Sequence, residues 1–188
     1  MPRSFYGRDP QVVAPELLHK VLVGPHGAGR IVEVEAYDGA NDPGSHAFRG
    51  RTQRNAMMFG EAGHLYVYFS YGVHWCANVV CVDDGRAAAV LVRVLRPLGD
   101  LSAMWAARTA ARRERDLCSG PGKLCQALGI DRRHNGADLV GGGGGVVVLD
   151  DGTPPPSATC SSRIGLSAGA DLPWRWFDAT DPNVSRRR

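Results

Sequence analysis

The chain has 188 residues, of which 44% are hydrophobic and 22% charged, and its formal net charge is +3. That length suits one domain with a sizeable core, and no eighteen-residue apolar run marks a membrane-spanning helix. Five cysteines (Cys76, Cys81, Cys118, Cys125 and Cys160) are odd in number and never form Cys-x-x-Cys, which argues against a disulfide framework or a zinc site. The first residues, Met1-Pro2-Arg3-Ser4-Phe5-Tyr6, lack the apolar stretch of a signal peptide, so a cytoplasmic location is expected.

In chain order, Asp9-Pro10 reads as an N-cap followed by proline at the first helical position, opening a helix to about His19. Leu17, Leu18, Val21 and Leu22 supply its buried side. Lys20 to Val23 and Arg30 to Ala36 read as strands around the turn Gly24-Pro25-His26-Gly27. Alternation in the second strand puts Ile31, Glu33, Glu35 and Tyr37 on one face, toward a cleft or solvent, and Val32, Val34 and Ala36 on the other, toward the core. Residues 38 to 63 form a long irregular excursion, a length usually associated with function. Leu65 to Phe69 is a strand that turns out at Tyr71-Gly72. Trp75 to Val82 and Ala87 to Val94 pair around Asp83-Asp84-Gly85.

Asp100 caps a helix expected to reach about Arg115, with Leu101, Met104 and Trp105 as its apolar stripe. Ser119-Gly120-Pro121-Gly122 introduces another helix bearing Leu124, Cys125 and Leu128. Gly141 to Gly145 has no following Gly-Lys-Ser/Thr and so is no phosphate loop. It reads as a flexible connector before the strand Val146 to Leu149, and residues 183–188, ending in three arginines, read as a basic tail. The whole, residues 1–188, is expected to be one α+β domain: a mixed, largely antiparallel, curved sheet with surrounding helices.

The chemistry concentrates between Gly29 and Cys81, where carboxylates, tyrosines and arginines crowd together. This combination suits a pocket that stacks a flat cation or base and activates water beside it. Alternation places Glu35 with Tyr37, but on the residues alone Glu33 is a close competitor, its plain reading being a solvated carboxylate on an edge strand. Arg93 interrupts the apolar run Val90-Leu91-Val92, where an unpaired charge is costly, so a buried carboxylate partner is expected. A structural salt bridge is the plainer account. Tyr71, followed by Gly72, can project from a tight turn as a wedge, while Tyr66 and Tyr68 read as core and rim residues. Arg49, Arg51 and Arg54 are candidate phosphate contacts, as is Lys123 at the start of its helix. Arg108, Arg112, Arg113 and Arg115 form a run on one helix, either a solvated face or a DNA contact. Lys20 and Lys123 are the only lysines among 22 basic residues. Arginine suits phosphate forks and stacking, although a GC-rich genome gives the same bias.

Several segments together resemble a known family. They are Arg30-Ile31-Val32-Glu33-Val34-Glu35-Ala36-Tyr37, Ser45-His46-Ala47-Phe48-Arg49-Gly50, Met58-Phe59, Leu65-Tyr66-Val67-Tyr68, Tyr71-Gly72, Asn78, the run Leu91 to Pro97, the run Leu117 to Leu124, Arg163-Ile164-Gly165 and Pro173-Trp174-Arg175-Trp176-Phe177. In that order they resemble the 3-methyladenine DNA glycosylases of the alkyladenine type. The resemblance implies an enzyme that flips damaged purines out of duplex DNA and hydrolyses the base–deoxyribose bond. It assigns Glu35, not Glu33, as the water activator, with Arg93 and the Ile164 carbonyl holding that water. Tyr37 and His46 would stack on the flipped base, Asn78 would oppose the 2-amino group of normal guanine, and Tyr71 would fill the gap in the helix. Taken alone, His46 is an ordinary loop histidine and Asn78 a turn-capping amide.

The resemblance further implies no metal or organic cofactor, a monomer, and double-stranded DNA as partner. With no lysine near the pocket motifs, strand cleavage is not expected. Cationic 3-methyladenine and 7-methylguanine are expected substrates, with hypoxanthine and ethenoadenine needing more help to leave. A non-catalytic nucleic-acid-binding module and a hydrolase of free nucleosides are the rival readings. Gln53, Ser70, the five-glycine run and Asp178 to Pro182 depart from the family pattern.

Overall fold

One long strand organises the molecule. In a computed structural model that describes residues 1–83 and 85–185, four short helices are α1 (Arg3–Tyr6), α2 (Pro10–Leu17), α3 (Ser102–Ala107) and α4 (Pro121–Leu128). Eight strands are β1 (Val21–Gly24), β2 (Gly27–Tyr37), β3 (Leu65–Ser70), β4 (His74–Val80), β5 (Ala89–Leu98), β6 (Val147–Leu149), β7 (Thr159–Ser161) and β8 (Arg175–Phe177). They form a single curled sheet in the order β3-β4-β5-β2-β1-β6, with β8 also on β2 and β7 on β8. All these pairings are antiparallel, so the expected mixed sheet is an antiparallel one.

β5 runs along one edge of β2, while β1 and then β8 occupy the other. Glu33 and Glu35 therefore lie on a central strand, and both are fully buried. The solvated edge-strand reading of Glu33 is wrong, because β8 arrives from the far end of the chain to cover that edge.

Register explains how a flat cavity forms. Residues directly opposite in an antiparallel pair share a face. Tyr66 faces Asn78, Asn78 faces Leu91, and Leu91 faces Glu35, so four strands contribute one residue each to a single row. Tyr68 and Cys76 form the next row outward. On the opposite face Leu65, Val67, Ala77, Val79, Val90, Val92, Val34 and Ala36 join the main hydrophobic core. Val13, Leu17 and Leu18 of the α2 region pack there, as do Leu124 and Leu128 of α4.

The expected alternation fails once. Register shifts on both sides of Glu33 interrupt the period of two, as bulges do. Ile31 consequently joins the core with Val34 and Ala36 and not the face of Glu33, and Val32 is buried outside that cluster.

Other differences are local. α2 ends at Leu17, after which His19 adopts φ 67° and its amide donates to Ile31 O. Asp9 sits at the N-cap, but its carboxylate pairs with Arg86 at 2.6 Å and not with the helix. α3 stops at Ala107, far short of Arg115. The Arg108 guanidinium donates to Leu117 O, Asp116 O and Gln126 Oε1, folding the chain back on itself. The arginines from 108 to 115 thus do not share a helix. The five glycines fold back on Asp138, whose amide donates to Gly143 O, and Gly142, Gly144 and Gly145 take positive φ. The arginines at 186–188 lie outside the described residues, as does Asp84. No described helix is long and apolar enough to cross a membrane.

Candidate active site

A cavity of about 550 Å³ opens on the polar face of the sheet. Its floor is the cross-strand row, with Tyr66, Asn78 and Leu91 lining it beside Arg93. Two loops make its walls. Gly44 and His46 come from the excursion after β2, and Ile164, Gly165 and Leu166 from the segment after β7.

Glu35 is fully buried directly behind three lining residues, Tyr37, Arg93 and Ile164, each of which supplies it a donor. Ile164 N donates to Oε1 at 2.7 Å, Tyr37 OH donates to Oε2 at 2.9 Å, and Arg93 Nη1 lies 3.1 Å from Oε2. Arg93 also donates from Nε to Glu33 Oε1 at 2.9 Å. The buried carboxylate partner expected for Arg93 is present, and twice over. The salt bridge of the plainer reading is thus observed, and Arg93 also lines the cavity.

Glu33 is differently placed. It accepts from Arg93 Nε, from Arg175 Nε at 2.8 Å and from Ser185 N at 2.8 Å. Burial alone would raise its carboxyl, but the hydrogen bond from Arg175 and the charges of Arg175 and Arg93 outweigh it and hold the group below its usual value. The two carboxylates thus divide their surroundings: Glu33 is enclosed by arginines at the rear, Glu35 stands beside the rings and the cavity.

The aromatic groups converge as follows. Tyr37 and His46 both line the cavity. Burial and then the Glu35 carboxylate push the Tyr37 hydroxyl above its usual value, so it stays a donor. His46 meets the Tyr68 ring edge-on at 4.4 Å, and its Nδ1 lies 3.4 Å from Tyr66 OH. His46 is exposed at the cavity rim, where partial desolvation and the nearby Arg54 lower its pKa, which favours the neutral imidazole. Burial raises Tyr66 to about 12. Tyr66 is a floor residue, whereas Tyr68 is a half-buried wall residue. Their spacing of two along a strand was the available sign that both face the cavity.

Tyr71 stands at the mouth, 89% exposed, with φ 50° just before Gly72 at 68°. A bulky residue in the left-handed region is uncommon, and here it projects the ring from the β3–β4 turn. Asn78 Nδ2 donates to Tyr66 O at 3.1 Å, so the amide is both a cross-strand strut and part of the floor.

Of the candidate phosphate contacts, Arg54 lines the cavity and donates to Phe69 O. Arg51 lies over the Phe59 ring, and Arg49 is exposed. Lys123 is exposed and donates to Ser119 Oγ. The loop bearing the arginines is fastened by Asn55, whose buried Nδ2 donates to His46 O and Gly50 O. Neither Asn55 nor the distant Arg163, Arg175 and Asp42 was singled out from sequence; a buried polar side chain is recognisable only once its loop is folded. Among the described residues, no group of three or more His, Cys, Asp or Glu side chains is placed to hold a metal ion.

Comparison with known proteins gives a consistent picture. The family model described as methylpurine-DNA glycosylase (MPG) matches residues 4–182. A candidate 3-methyladenine DNA glycosylase of Burkholderia lata is 54% identical over 178 residues, 94% of this chain and 86% of its own length. Another, from Carboxydothermus hydrogenoformans, is 44% identical over 191 residues, spanning 100% of this chain and 99% of its own. A third, from Rhodopseudomonas palustris, is 47% identical over 176 residues, covering 94% and 86%.

Proposed function

This chain belongs to the methylpurine-DNA glycosylase family, and on that premise we propose that it releases 3-methyladenine and other damaged purines from duplex DNA, using water activated by Glu35. It is a hydrolase of N-glycosyl bonds. The observation that supports the mechanism is the placement of Glu35, buried behind an aromatic cavity and joined to Tyr37, Arg93 and Ile164, which line it.

In this reading a nucleotide flipped from the duplex inserts its base between Tyr37 and His46. An aromatic platform contributes about 1–3 kcal/mol to such a base. Alkylated purines are cationic, so electron-rich rings attract them further, and a neutral His46 adds no opposing charge. Glu35 takes a proton from water attacking the anomeric carbon, and its anion stabilises the oxocarbenium-like sugar. Arg93 and the Ile164 carbonyl hold that water. Attack opposite the departing base inverts the sugar carbon and leaves an abasic site. Tyr71 enters the gap in the duplex, Asn78 opposes the guanine 2-amino group, and Arg49, Arg51, Arg54 and Lys123 meet phosphates. A single chain supplies every group, so the reaction needs no second copy. A binding module alone has no use for the buried Glu35–Arg93 pair, and a nucleoside hydrolase has none for an exposed ring at the mouth.

The test is release of free base from alkylated duplex DNA under single-turnover conditions. Wild type should liberate 3-methyladenine and 7-methylguanine without cutting the strand, while Glu35→Gln should still bind lesion DNA and lose about 10²-fold or more of the rate. Base release by Glu35→Gln within a few-fold of wild type would remove Glu35 from the reaction.

A further inference from the structure

The two walls of the cavity meet in one buried ion pair. Arg163 Nη1 and Nη2 donate to Asp42 Oδ2 and Oδ1, both at 2.6 Å, and both side chains are wholly inaccessible. The same guanidinium donates to Ala36 O at 2.9 Å and Gly169 O at 3.1 Å. Asp42 in turn accepts from Gly44 N at 2.9 Å within its own loop. Asp42 therefore fixes the loop carrying Gly44 and His46, and Arg163 fixes the loop carrying Ile164 to Leu166. The loops touch closely at Gly44, where an added Cβ would come within 2.9 Å of both Arg163 Nη2 and Leu166 Cδ1.

Arg163 reaches two further parts of the site. Its guanidinium carbon lies 4.6 Å from the centre of the Tyr37 ring and 5.3 Å from that of Trp174. The next residue, Ile164, supplies the amide that donates to Glu35. Only a planar five-donor fork can bind a carboxylate at two points, cap two carbonyls and stack on rings at once. A lysine could supply the charge but not the geometry.

We propose that Asp42 and Arg163 are positioning residues for base excision: their pair sets the width of the purine slot, backs the Tyr37 ring and holds the Ile164 amide on Glu35. Neither touches the substrate. The inference rests on the roles proposed above for Tyr37 and Glu35. A staple that served the fold alone would give the same ion pair, so the two are separated by what happens to the chemistry of Glu35. That carboxylate is faced by Arg93 and, through it, Glu33, by Tyr37 and Tyr68, and by Arg163 behind Tyr37. Loosening the Ile164 amide displaces the carboxylate proposed to activate water, so the rate constant of base release in the folded enzyme should fall.

The experiment measures the rate constant and the amplitude of single-turnover release of 7-methylguanine from duplex DNA, with enzyme in excess, for wild type, Arg163→Lys, Gly44→Ala and Glu35→Gln. Arg163→Lys keeps a cation for Asp42 and removes the fork; Gly44→Ala strains the same joint and leaves the charges in place. Misplacing reacting groups by about 1 Å costs on the order of 100-fold, so Arg163→Lys and Gly44→Ala should each lose about 10–100-fold of the rate constant. A fold staple would lower the amplitude with the folded fraction and leave the rate constant of the folded enzyme where it was. Wild-type rate constants in the folded variants overturn the proposal, and Gly44→Ala alone decides it if Arg163→Lys does not fold. If Glu35→Gln remains active, the assignment of Glu35 has failed and not the pairing of Asp42 with Arg163.

Discussion

Replacing Glu33 by glutamine should lower stability strongly, because it removes the anion shared by two buried arginines. Glu33 is fully buried and accepts from Arg93 Nε, Arg175 Nε and Ser185 N. Both arginines donate to Oε1 and Ser185 N to Oε2, so a neutral glutamine removes the anion from both arginines and turns an NH₂ toward at least one donor. Breaking a buried charge pair by removing one partner costs about 3–5 kcal/mol. For a domain of this size each kcal/mol shifts Tm by about 2–4 °C, so Glu33→Gln should melt about 6–20 °C below wild type at neutral pH. The gap should narrow in acid, and the sign follows from linkage. Glu33 is held below its usual 4.5 in the folded protein, so the unfolded chain binds more protons between the two values. The stabilisation is therefore complete above 4.5 and disappears as pH falls through the folded value. Calorimetric melts of both proteins between pH 3 and 7 measure this, and single-turnover excision at low temperature should show Glu33→Gln less impaired than Glu35→Gln. A Tm within 2 °C of wild type would refute the packing argument. Severe loss of excision by Glu33→Gln with near-normal Glu35→Gln would exchange the two roles.

Tyr71→Ala should reduce excision from duplex DNA by about 5–150-fold, the equivalent of 1–3 kcal/mol of stacking, and much less from single strands. Because the ring is 89% exposed, its Tm should barely move; ready unfolding, or equal losses on both substrates, would contradict the wedge. Asn78→Ser should raise release of normal guanine relative to hypoxanthine in a competition assay, and unchanged discrimination would leave Asn78 only its strut to Tyr66. His46 is held below its usual 6.5, so it stays neutral to lower pH than a free imidazole and becomes cationic only in acid. The ratio of 7-methylguanine to hypoxanthine release should then fall as pH drops below 6.5, and His46→Gln should remove that fall.

Much of the site follows from a period of two. Glu35 shares a face with Tyr37 because the register of β2 on β5 is unbroken from Val34 to Tyr37. The same rule misplaced Ile31, since the irregularity at Glu33 comes from strand pairing that no local pattern announces. The α3 prediction failed for a similar reason. Arg108 to Arg115 carry no helical apolar stripe, and the Arg108 guanidinium finds carbonyl partners only when α4 is nearby. Arg175 and Arg163 were visible inside recognisable segments, but their partners Glu33 and Asp42 lie 142 and 121 positions away. Such pairings arise from topology and not from neighbourhood in the chain.

The late arrival of β8 at β2 has a consequence for biosynthesis. Glu33 is made early, yet two of its three donors, Arg175 and Ser185, come 142 and 152 residues later. Until those residues emerge from the ribosome, the strand carrying both carboxylates has an open edge and two poorly compensated anions. Contacts so distant in sequence form slowly. A growing polypeptide that lacks Arg175 and Ser185 therefore leaves Glu33 short of two of its three donors and β2 without its β8 neighbour.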